Sequence, residues 1–89
     1  MPKSTISICN KALNTNKAIL TTEIFNEIND YINTHNEWGV GIELLIDYLC
    51  EEDITISQEQ FNTIEAAMQT MGLGGSDRLV DLNGQVQNT

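Results

Sequence analysis

Glu43, Asp47 and Glu51 recur at i, i+4 and i+8, and Glu52 and Asp53 follow directly. Carboxylates in such a row can hold a hard cation, shuttle protons or meet a basic surface. Glu23, Glu27 and Asp30 make a second row. Like charges at helical spacing weaken a helix by roughly 0.2–0.5 kcal/mol per pair. No Lys or Arg stands between Ala18 and Ser76 to offset them, although that stretch holds eleven Asp and Glu. Acidic faces that serve solubility alone are usually interspersed with lysines, so a functional acidic surface is expected over a merely solvated one, and the sequence does not tell which row serves it.

Two of the three chemistries lack support. A calcium loop needs oxygen ligands at alternating positions, a Gly at six and a Glu at twelve. "EEDITISQEQF" has no Gly and sets Ile and Thr at ligand positions. For proton transfer or nucleophilic catalysis, His35 is the only histidine, and Cys9 and Cys50 have no partner at metal-ligand spacing. "GVG" at 39–41 and "GLGG" at 72–75 lack the context of a phosphate loop. Ser76-Asp77 reverses the Asp-Ser-Leu order on which acyl carrier proteins bear their prosthetic group. The chain is therefore expected to be neither an enzyme nor a holder of metal or cofactor. What remains is a surface for a basic partner.

Charge geography agrees. Net charge is −9, and Lys3, Lys11 and Lys17 all lie in the first seventeen residues. Such a surface repels nucleic acid and anionic lipid and draws basic proteins at a raised rate. "MPKSTISICNKALN" has no continuous apolar core of a signal peptide. No stretch approaches the roughly 18 apolar residues that span a bilayer. A cytoplasmic protein is expected. Cys9 and Cys50 each fall on an apolar helical face and read as free thiols that pack as small hydrophobes.

The elements that must carry these residues are helices. Eighty-nine residues make one domain with a small core. Ile6, Cys9 and Leu13 mark a first helix over 4–14, with Ser4 as N-cap. Ile24, Phe25, Ile28, Tyr31 and Ile32 mark a second over 22–34, capped by Thr21 or Thr22. His35 stands at its end, where a cation suits the dipole. The third runs from about Glu37, capped by Asn36, to Cys50 or Glu51. Gly39 and Gly41 loosen its first turn, and Ile42, Leu45, Ile46 and Leu49 face inward.

The fourth helix, 58–71, is specified at both ends. Ser57 and Gln60 form a capping box, with Ile56 and Phe61 as a hydrophobic staple. Gly72 supplies the left-handed residue of a Schellman close, with Leu73 meeting Met68. Short loops join these helices into an all-α four-helix bundle over 1–75. Residues 76–89 form a weak C-terminal tail, frayed or folded as a short hairpin about Asn83-Gly84.

The segment "GIELLIDYLCEEDITISQEQFNTIEAAMQTMGL", residues 41–73, resembles the MafI-like small helical immunity proteins of bacterial contact-dependent toxin systems. "ELLIDYLCEEDITIS", the Gln- and Glu-rich helix opening "SQEQF" and the close "MGL" carry the likeness. It covers about a third of the chain clearly and the second helix loosely. These motifs are mainly architectural, and the N-terminus and the stretch after Gly74 match nothing in the family. The resemblance implies a cognate inhibitor that binds one toxin domain, commonly a nuclease, in the cytosol and without chemistry. The colicin nuclease immunity proteins are similar in size, acidity and helix number, an analogy of shape and charge.

On this reading Glu43, Asp47, Glu51, Glu52 and Asp53 make the charge contacts, with Tyr48 as aromatic anchor. Glu23, Glu27, Asp30 and Trp38 are the second choice. The alternative is an acidic adaptor or nucleic-acid mimic that binds a basic intracellular protein.

Overall fold

The computed structural model describes residues 4–87, so Lys3 of the N-terminal lysine group lies outside the described residues. Ser4 Oγ accepts from the Ser7 amide and opens α1, Thr5–Thr15. The chain then turns through a 3₁₀ segment, Lys17–Ile19. Asn16 governs this turn from a fully buried position. Its Nδ2 donates to the Ala12 carbonyl at 2.8 Å, satisfying an end of α1 from within.

Thr21 caps α2, Thr22–Asn29, through its hydroxyl. The expected single helix to Thr34 is not kept. From Asp30 to Thr34 the winding widens to a π turn, in which the His35 amide donates to the Asp30 carbonyl at 3.0 Å. Asn36 follows at φ 53°, a left-handed conformation that Asn tolerates better than most residues. It therefore ends one helix and does not cap the next.

Helix α3, Trp38–Glu51, starts regularly despite its two glycines. Gly41 is buried, and a Cβ there would lie 2.9 Å from Ile32 Cγ1 and 3.3 Å from Tyr31 Cβ. Gly41 is thus where the end of the second helix lies against α3. Its role is close approach, not a loosened turn.

The far end of α3 answers what three consecutive acids do there. Glu51 closes the helix, Glu52 is the C-cap, and Asp53 takes φ 51°. The Ile54 amide donates to the Leu49 carbonyl at 3.0 Å and the Asp53 amide to the Cys50 carbonyl at 3.2 Å. That pair is a Schellman motif in which Asp fills the place usually held by Gly.

Helix α4, Gln58–Thr70, has the expected capping box. Gln60 N donates to Ser57 Oγ, and Ser57 N donates to Gln60 Oε1 at 2.7 Å. Its close is also as expected, with Gly72 at φ 75° and the Leu73 amide donating to the Met68 carbonyl at 2.8 Å.

The bundle does not stop at Gly75. Ser76 caps a fifth helix, α5, Asp77–Asn83, which buries Leu79 and Leu82. Asn83-Gly84 is no hairpin turn, since Gly84 has φ −66° and simply ends the helix. The chain then runs beside the α3–α4 connection. The Ile56 amide donates to the Gln85 carbonyl at 3.0 Å and the Gln87 amide to the Ile56 carbonyl at 2.9 Å. The frayed or hairpin tail is therefore corrected to a helix and a strap; its last two positions lie outside the described residues. A helix this short is not stable alone, and packing on α3 and α4 holds it.

The fold is all-α, with five α-helices among the described residues where four were expected. Every α-helix supplies core residues: Cys9, Ala12 and Leu13 from α1, Ile28 from α2, the Ile42–Leu49 stripe from α3, Phe61, Ile64, Ala67 and Met68 from α4, and Leu79 and Leu82 from α5. Ile32 of the π turn and the staple residue Ile56 join them. Such burial is the main favourable term for a domain this small.

Candidate functional site

The inward stripe of α3 turns Glu43 and Asp47 to the opposite edge, where each is only partly covered. Both meet a cation that lies far away in sequence. Arg78 Nη1 donates to Glu43 Oε2 at 3.0 Å, Nε to Asp47 Oδ1 at 3.0 Å, and Nη2 to Asp47 Oδ2 at 3.4 Å. The hydrogen bond and charge of Asp47, then the charge of Glu43, raise the Arg78 pKa. Glu43 and Asp47 are therefore not a bare acidic row: α5 brings them the only Lys or Arg that follows Lys17.

The π turn lies alongside. Glu27 of α2 and Tyr31 of the π turn join Val40, Glu43, Leu44, Asp47 and Arg78 around a groove of about 240 Å³. The structure thus unites one member of the second acidic row with two of the first. Its lining is mixed: Tyr31, Val40 and Leu44 stand among four charged side chains. Tyr31 and Leu44 are half-buried, and Val40 is 46% exposed, an unusual position for a large hydrophobe in this fold.

Glu51, Glu52 and Asp53 form a separate acidic tip, all three exposed. Glu43 and Glu51 are eight residues apart, about 12 Å along the helix. Asp81 of α5 adds to the tip. Burial first, and then the charges of Asp81, Asp47, Asp53 and Glu51, raise the pKa of the Cys50 thiol between them. Both cysteines are free. Cys9 is wholly buried, and burial pushes its thiol up to about 11. Both shifts favour the protonated thiol over the thiolate.

Other candidates fall elsewhere. Glu23 lies in the first turn of α2 and Asp30 opens the π turn; both are exposed, and neither lines the groove. Trp38 packs on the core, with a buried indole Nε1 that has no partner among the described residues, so it is not an exposed anchor. Tyr48 is half-buried against the core. Two lysines stand on other faces: Lys17 lies 5.0 Å over the Phe25 ring, and Lys11 lines a groove with Glu59 and Asn62 of α4.

Sequence reasoning missed Val40, Tyr31, Leu44, Arg78 and Asp81 as surface partners. One signal was available: a single Arg in a long acidic stretch must find a carboxylate. No group of His, Cys, Asp and Glu suited to a metal occurs among the described residues. No helix there is long and apolar enough to cross a membrane.

The arrangement offers carboxylates from three helices, a groove that sets them beside apolar side chains, and an acidic tip. No protein-family model, curated protein or solved structure matches the chain.

Proposed function

We propose that this chain is an immunity protein: it binds one cognate toxin domain, a basic nuclease, and neutralises it by occupying it. The observation that carries this reading is the union of acids from α2, α3 and α5 around the groove and tip, with Arg78 as the one cation among them. A nuclease must be basic where it meets phosphate. A carboxylate surface of this kind is its complement, speeding encounter and competing for the groove that would hold nucleic acid. The likeness of residues 41–73 to MafI-like immunity proteins points the same way. On this reading α5 braces the binding surface through Arg78.

The test is rescue. The reading requires a toxin gene beside this one; its toxin domain is expressed with and without the chain, and survival is scored. Survival that requires the chain supports the reading; death in its presence removes it. If survival persists after Glu43, Asp47, Glu51, Glu52 and Asp53 are changed together to their amides, binding lies on another face. An association rate indifferent to salt would contradict electrostatic steering.

A further inference from the structure

We propose that the groove between α2 and α3 seats one basic side chain of the partner, an arginine or lysine borne beside an apolar residue. This seat rests on the reading of the chain as a binder of basic protein, and adds which part of the surface is used and what enters it.

Two independent features meet here. The first is apolar. Val40 stands 46% exposed on α3, beside half-buried Leu44 and Tyr31, and it leaves its surface to water. A hydrated metal ion gains nothing from such a surface. The second is charge, since Glu27 of α2 and Glu43 and Asp47 of α3 line the same groove. Exposed apolar surface beside carboxylates suits a long basic side chain, whose methylene stem covers hydrocarbon while its head meets a carboxylate.

Arg78 places its guanidinium on Glu43 and Asp47 at 3.0 Å each, yet takes only Oε2 of Glu43. Glu27 makes no ion pair among the described residues. An incoming head group therefore meets Glu27 and the open oxygen of Glu43, with its stem over Val40.

A nine-residue peptide of alternating Arg and Leu is titrated into the ¹⁵N-labelled full chain, with an alternating Glu and Leu peptide as control. Saturable shifts centred on Tyr31, Val40, Leu44 and the Arg78 Nε resonance are expected, and none with the Glu peptide. Val40→Glu separates a seat from diffuse attraction. It adds an acid, so dispersed electrostatic binding would tighten. A seat loses the apolar surface under its stem, and affinity falls at least tenfold. Val40 is exposed enough that the fold should persist, which circular dichroism checks.

Equal or tighter binding by V40E, or shifts centred on Glu51–Asp53 or on Glu59 and Glu65, would overturn the seat. The two proposals fail separately. A chain that rescues cells but maps the peptide elsewhere keeps its function and loses the groove. A chain that seats the peptide without rescue keeps the groove and loses the function.

Discussion

Arg78 Nε donates to Asp47 Oδ1 at 3.0 Å across thirty-one positions of sequence. The contact fastens α5 to α3 and places a positive charge inside the acidic surface. Exposed pairs contribute little to global stability, so Arg78→Met should leave Tm nearly unchanged. Amide exchange in α5 should quicken, because the helix loses its polar anchor while Leu79 and Leu82 stay buried. Binding of the Arg-Leu peptide should tighten severalfold in R78M, since an internal competitor is gone. Weaker binding, measured by titration calorimetry, would make Arg78 an organiser of the carboxylates instead.

Gly41→Ala sets two effects against each other. Alanine favours a helix interior by about 1 kcal/mol over glycine. At this position its Cβ would press on Ile32 Cγ1 at 2.9 Å, with the Ile28 carbonyl oxygen at 3.4 Å. Neither is the free end of a long side chain. Overpacking of this kind costs typically 1–3 kcal/mol, so urea denaturation should show a net loss of about 1 kcal/mol. A gain would mean that the π turn yields easily.

Asp53→Gly should stabilise the fold by about 0.5–1 kcal/mol, because Asp53 holds φ 51° in the Schellman close of α3. Asp53→Ala keeps the strain and should not stabilise. If Asp53 touches the toxin, D53G binds it less well while melting at a higher temperature. That opposition of stability and affinity is the mark of a residue kept for its charge.

Cys9 gives a pH prediction. Its thiol is raised from 9.0 to about 11 in the fold. Above pH 9 the unfolded chain therefore loses this proton first. Stability is undiminished below that pH and falls as pH rises toward 11, by at most about 1.4 kcal/mol per pH unit from this group. Cys9→Ala should flatten that part of the profile, read from chemical denaturation at pH 8, 9 and 10. In native protein Cys50 should react with a thiol reagent before Cys9.

Local chemistry was legible where it acts over a few residues. Ser57, Gln60, Gly72 and Leu73 specify both ends of α4, since caps and Schellman closes involve neighbours in sequence. The 3.6-residue stripes gave the core faces of α1 and α3 for the same reason. The π turn could not be read, because Tyr31 and Ile32 keep an ordinary helical pattern and Gly41, ten positions later, lies against them. Nor could α5 be separated from a hairpin: "RLVDLNGQVQ" carries an Asn-Gly turn signal and only two inward leucines.

The sequence by itself determined an acidic helical protein, the faces of its long helices and the caps that bound α4. Those follow from propensity, periodicity and short-range hydrogen bonds. The tertiary structure alone decided which carboxylates meet. It drew Glu27 to Glu43 and Asp47, left Val40 open between them, and returned Arg78 to the row that had no cation of its own. Such encounters depend on how helices pack across long loops of chain, and no spacing along α2 or α3 encodes them.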